Sequence, residues 1–206
     1  MSRNNVNSYE IKEKYTSILI AVHTANIEIK NSENGQTEVV CCENKNPVYS
    51  VNVEDQTLMI RRGKSKWYSF LFPSFKVPSI TIYLPKAKLE SIDVKSNTGK
   101  ISLEDITCKS LKIISETARV NLEKTIVDEK LHIKTNTGRI QIKESDAGEI
   151  FIKSDTGNIY GSLLTDKAFV IRCNTGKINI PSTFGHNKCE IISNTGNVNF
   201  EIKNQL

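Results

Sequence analysis

Apolar and polar residues alternate with a period of two along most of the chain. Ile18, Ile20 and Val22 open the series, followed by Ile27 and Ile29, Val51 and Val53, Leu58 and Ile60, and then Ile80, Ile82 and Leu84. Beyond residue 90 the alternation becomes regular, as in Leu131 and Ile133 followed by Ile140 and Ile142, or Phe169 and Ile171 followed by Ile178 and Ile180. A period of two with β-branched residues at the apolar positions predicts strands with one buried face.

A four-residue phrase separates the paired strands. It reads Ser96-Asn97-Thr98-Gly99, Ser115-Glu116-Thr117-Ala118, Thr135-Asn136-Thr137-Gly138, Ser154-Asp155-Thr156-Gly157, Cys173-Asn174-Thr175-Gly176 and Ser193-Asn194-Thr195-Gly196. Its last residues fall 19, 20, 19, 19 and 20 positions apart. Gly allows a positive φ, and Asn or Asp two places earlier can bond its own backbone, so each phrase predicts a tight bend. Ala118 is the one departure. Ile106, Ile126, Leu164 and Phe184 follow the bends at similar distances and predict a short third side.

A hairpin array would favour two-residue loops and no fixed repeat length. The constant length instead predicts an all-β, parallel β-solenoid of 19 to 20 residues per coil, its equivalent residues stacked at about 4.8 Å. Thr98, Thr117, Thr137, Thr156, Thr175 and Thr195 should then form a hydroxyl row, and Asn97, Asn136, Asn174 and Asn194 an amide row. The expected organisation is one domain over 1–206, with six regular coils over 91–206. Residues 11–90 supply irregular coils and a cap, His23 to Ile29 reading as a degenerate repeat. The last coil, near Val198 to Ile202, is expected to leave an open edge.

Composition narrows the class. A 206-residue chain with 38% hydrophobic and 25% charged residues fits a folded soluble domain. The net charge of +5 is small and evenly spread along the sequence, which argues against nucleic acid as a partner. The longest early apolar run, Ile18 to Val22, is too short for a signal peptide or a transmembrane segment, so a cytoplasmic location is expected, peripheral to the membrane if the chain docks there. Five cysteines without a C-x-x-C pair predict free structural thiols, with no metal site and no cofactor.

The irregular β-rich opening, the Leu84-Pro85-Lys86 step and the run of [Ser/Thr]-Asn-Thr-Gly-x-Ile-x-Ile repeats resemble a bacterial β-strand-repeat family of unknown function whose members are commonly labelled putative adhesins. The resemblance covers nearly the whole chain. It implies a right-handed parallel β-helix, no agreed catalytic residue, and for some relatives an association with cell-envelope stress.

Candidate chemistry is sparse. Some polysaccharide-cutting enzymes are β-helices, but Asp93, Asp105, Asp128, Asp146, Asp155 and Asp166 fall at unrelated offsets from the bends and predict no stacked carboxylate face. His23, His132 and His186 lack the spacing of a metal pair. Lys95, Lys134, Lys153 and Arg172 stand four places before the bends, and Lys100, Arg119, Arg139 and Lys177 one place after. They read either as stacked cations for a polyanion or as the charges that keep an exposed strand soluble.

The strongest local anomaly is residues 61–76. Trp67, Tyr68, Phe70, Phe72 and Phe75 lie there among Arg61, Arg62, Lys64, Lys66 and Lys76, with no acid in the window. Rings that gain by leaving water beside cations that meet anionic groups suit a docking loop for an anionic membrane surface or a protein partner. The competing reading is a plug over the end of the solenoid. The first functional expectation is therefore a non-catalytic binding or scaffold protein, with a self-associating homo-oligomer as the alternative and a carbohydrate-active enzyme as the third.

Overall fold

The computed structural model describes residues 5–43, 49–63, 77–183 and 185–203. Sixteen strands join into one sheet wrapped into coils, and no helix occurs among the described residues. The first seven strands are β1 (Asn5–Ile11), β2 (Ser17–Thr24), β3 (Asn26–Asn31), β4 (Thr37–Glu43), β5 (Tyr49–Glu54), β6 (Thr57–Arg62) and β7 (Ser79–Leu84). The regular part holds β8 (Leu89–Glu104), β9 (Thr107–Glu123), β10 (Ile126–Thr137), β11 (Ile140–Thr156), β12 (Ile159–Leu163), β13 (Ala168–Thr175), β14 (Ile178–Asn179), β15 (Lys188–Thr195) and β16 (Val198–Ile202).

The repeat phrase is the corner between two flanks of each coil, and the coils pair in parallel with the phrases aligned. Thr24, Thr98, Thr117, Thr137, Thr156, Thr195 and Thr175 are successive neighbours across the stack. Thr24 places the degenerate segment at His23 to Ile29 in the same row. Inside the corner some hydroxyls bond backbone carbonyls: Ser115 donates to Asn97 at 3.2 Å and Thr135 to Thr137 at 3.1 Å, whereas Ser154 and Ser193 at the same repeat position have no partner among the described residues. The bend requires glycine for two reasons at Gly157, where φ is +143 and a Cβ would collide with the Gly138 carbonyl of the next coil. Ala25 and Ala118, both buried, fill that position without a positive φ.

Alternation buries one side of every flank. Ile20, Val94, Ile113, Ile133, Ile152 and Ile191 are stacked neighbours, each fully buried. Each contributes about 1.5–3 kcal/mol of transfer free energy, an upper bound before chain entropy. A second corner is unmarked in the repeat pattern: Asp105, Lys124 and Glu144, none of them glycine, turn the chain with φ of 54, 48 and 48.

Two expectations need correction. The coils do not stack in sequence order at the C-terminal end. β15 lies between β11 and β13, and β16 between β12 and β14, so Val198 and Asn199 are paired on both sides, Phe200–Ile202 pair with β12 alone, and the terminal edge of the stack belongs to β13 and β14. The last repeat can enter the stack one place early because its rungs match β11 and β13 equally well. At the other end, β2 and β3 lie inside the coil made by β6 and β7. The cap beyond that coil is antiparallel, β5 on β6 and β4 on β7, with β1 on β4. Asp55 and Gln56, at φ of 46 and 57, make the two-residue hairpin turn there.

Candidate functional site

Of the residues singled out between 61 and 76, Arg61 and Arg62 end β6 and are exposed. Lys64, Lys66, Trp67, Tyr68, Phe70, Phe72 and Phe75 lie outside the described residues. What is described is where the segment begins and ends. Arg61 pairs with Ala21 on one flank of the corner, and Ser79 pairs with Asn26 on the other. The Asn26 N–H donates to the Pro78 carbonyl at 2.8 Å. The neighbouring coil passes from Ala21 to Asn26 through residues 22–25, whereas this coil takes residues 62–78 to cross the same corner. Val77, at its far end, is 51% exposed.

The two cation rows differ from the expected stacks. On the first flank the order is Arg61, Ala21, Lys95, Ile114, Lys134, Lys153, Ile192, Arg172, so isoleucines interrupt the charges and only Lys134 and Lys153 are direct neighbours. On the second flank Lys100 pairs with Arg119, and the Val120 N–H, next to Arg119, donates to the Arg139 carbonyl at 2.9 Å, so three cations follow one another. Arg139 lies over the Tyr160 ring, 5.7 Å from its centroid. The amide row is also broken: Glu116 separates Asn97 from Asn136, while Asn194 joins Asn174 at 3.3 Å and donates to Asp155 at 3.2 Å.

The scattered acids are partly gathered. Asp128, Asp146 and Asp166 line one open cavity of about 670 Å³ with Thr165, Lys167 and Asn187. Sequence spacing could not show this, because the crossover after β12 brings Asp166 and Lys167 back over the coils of β10 and β11. Two of the carboxylates are ion-paired: Asp146 is 2.6 Å from the Lys167 ammonium, and Asp128 is paired with Lys88; Asp146 Oδ2 is buried without a hydrogen-bond partner among the described residues. Another buried acid, Glu43, accepts from the Tyr49 N–H at 3.0 Å and from Asn7 at 3.3 Å, which fastens the cap. Burial and the nearby Glu43 push the Tyr49 phenol up to about 12. His132 packs on Phe151 at 4.9 Å between ring centroids, and burial together with Lys112, Lys130 and Lys134 lowers its pKa.

Cys41, Cys108 and Cys189 are buried and Cys42 and Cys173 half-buried, all as free thiols. Among the described residues no group of three or more His, Cys, Asp or Glu is placed to hold a metal ion, and no helix is long and apolar enough to cross a membrane.

Two solved structures share this architecture across nearly their whole lengths. One is described as a putative cell adhesion protein from Clostridium sporogenes; it is 14% identical with a TM-score of 0.52, over 98% of this chain and 100% of the other. The second, described as a putative adhesin from Bacteroides fragilis, is 17% identical with a TM-score of 0.52, over 98% of each chain. At such identities the likeness is one of fold. No curated protein matches the sequence. The model of the Toastrack DUF4097 family matches residues 15–206. Parallel coils turned at a repeated Gly corner, under an antiparallel cap, are thus the form that one bacterial family of unknown function takes here: the chain belongs to the Toastrack DUF4097 family.

Proposed function

We propose that this chain is a non-catalytic binding or scaffold protein that docks through residues 61–76 to an anionic membrane surface or a protein partner at the cell envelope. One observation carries the reading: the long insertion starts and finishes at an outer corner of the stack, between Arg61 and Ser79, where the adjacent coil turns in four residues. A segment rooted there, rich in aromatic residues and cations, has the composition of an interfacial contact. We take the winding as right-handed, the hand that strand twist favours for parallel crossovers.

The test is sedimentation with anionic liposomes. Trp67→Ala combined with Phe72→Ala should abolish binding while the circular dichroism spectrum stays that of the parent. Absence of both liposome and partner binding by the parent protein would remove the reading.

Self-association is a second reading, moved by the strand order from β16 to the β13–β14 edge. Val170 is 40% exposed and Ile178 47% exposed on that unpaired edge. Light scattering over a concentration series checks it, and a constant monomeric mass would count against it.

A further inference from the structure

Charge is segregated around the coil. Five cations stand on the flank before the Gly corner (Arg61, Lys95, Lys134, Lys153, Arg172) and four on the flank after it (Lys100, Arg119, Arg139, Lys177). Of these nine, only Lys95 has an acidic partner among the described residues, Asp93 at 4.0 Å. Residues 1–4, 44–48, 64–76, 184 and 204–206 contain no Asp or Glu that could pair with the others. Elsewhere ion pairs are more frequent, although Lys124 and Lys130 have no acidic partner among the described residues. Lys86 meets Asp105, Lys88 meets Asp128, Lys109 meets Glu90, Lys143 meets Glu123, Lys167 meets Asp146 and Lys203 meets Glu144, all towards the second corner and the third side. The acids that do lie near the Gly corner are Glu116 and Asp155 on its crest, and Asp93, Glu190 and Glu28 one row further out, Glu28 being paired with Lys30. Glu190 is itself paired with Lys188 at 2.7 Å. The ridge therefore carries more cations than acids.

We infer that this ridge is a membrane-binding surface that lays the long axis of the stack flat on anionic lipid headgroups. This rests on, and deepens, the docking role assigned to residues 61–76, because the insertion emerges from the same corner line at the coil next to Ala25 and Asn26. Shape selects the plane over a strand of polymer. The cations occupy both slopes of a convex crest of Thr and Asn that also carries Glu116 and Asp155, so a narrow polyanion following one slope meets Ile114 and Ile192, and following the other meets Asn158 and Asn197. A plane touches both slopes at once, since Lys and Arg side chains are long enough to reach past the crest. Eight coils at the usual strand spacing give a ridge of about 34 Å, wide enough to engage many headgroups.

Binding to vesicles of phosphatidylcholine alone and of equal parts phosphatidylcholine and phosphatidylglycerol tests the inference. The parent should bind only the anionic vesicles, with an affinity that falls as salt rises. Lys134→Gln, Arg119→Gln and Arg139→Gln together should weaken binding on the order of 100-fold, about fivefold for each basic residue near the surface. A control with the same loss of charge on the far side, Lys109→Gln, Lys143→Gln and Lys203→Gln, should stay within about threefold of the parent. Equal loss in both triple variants would show net charge at work and overturn the ridge. A ridge variant that binds like the parent, while Trp67→Ala with Phe72→Ala does not, overturns the ridge and leaves the docking segment standing. The opposite outcome retains the ridge and removes the segment. Parent protein that ignores phosphatidylglycerol vesicles but is retained by immobilised dextran sulfate would assign the ridge to a soluble polymer and overturn the lipid surface.

Discussion

The Lys167 ammonium, 1% exposed, lies 2.6 Å from Asp146 Oδ1 and donates to the Thr165 hydroxyl at 2.7 Å. Asp146 belongs to β11, and Lys167 to the crossover that carries the chain past β15 into β13, so the pair ties the coils of β11 and β13 across the place that β15 fills. Asp146→Ala strands a charge inside and should destabilise the fold by about 3–5 kcal/mol. Lys167→Met with Asp146→Leu should recover most of that loss, because a buried pair and an apolar replacement of similar volume differ little. Urea denaturation midpoints of the three proteins decide it.

Glycine at the corner is not interchangeable with alanine wherever φ is positive. Gly157→Ala would place its Cβ against the Gly138 carbonyl at φ +143 and should cost more than about 2 kcal/mol. Gly35→Ala, at φ +70 with no atom within 4 Å of the added carbon, should cost about 1–2 kcal/mol. Thermal melts of the pair should keep this order; a reversal would mean that the coils are further apart than described.

Burial holds the thiols of Cys41, Cys108 and Cys189 up to about 12. An unfolded thiol ionises near 8.5, so the denatured chain sheds protons that the native chain retains. Stability should consequently be intact below about pH 8.5 and decline as pH rises from there towards 12. A thiol-reactive dye should modify no more than the half-buried Cys42 and Cys173 in the native protein, and all five cysteines in denaturant. Rapid labelling of more than two sites in buffer would contradict the buried assignments.

His132 has the opposite sign. Its pKa is lowered, by burial first and then by Lys112, Lys130 and Lys134, so the unfolded chain takes up a proton near pH 6.5 that the folded chain refuses. Stability should fall as pH drops through 6.5 and level off below the folded pKa. Replacement of His132 by Gln should flatten that part of the profile, and an imidazole titration followed by NMR should give a midpoint below the ordinary histidine value.

The aromatic and basic cluster proposed to dock is visible in composition alone, since five aromatics among cations with no acids stand out in a chain with fourteen aromatics in all. The ridge is only half legible. Lys100, Arg119 and Arg139 share an offset from the repeat, but their lack of acidic partners depends on where Glu104, Glu123 and Asp128 end up, and these lie around the second corner. That corner uses Asp105, Lys124 and Glu144 in a left-handed conformation, and of these only Asp105 is of a type that marks turns.

Strand identity, the position of the bends at the repeat phrase and the side of each flank that faces inward were determined by the sequence alone, because alternation and a glycine at positive φ are properties of a few consecutive residues. The order of the coils, the buried Lys167 and the gathering of charge on one ridge were decided only in three dimensions. Rungs built from near-identical repeats can pair in more than one order, and the choice between them rests on contacts such as Lys167 with Asp146, made by residues that no local pattern links.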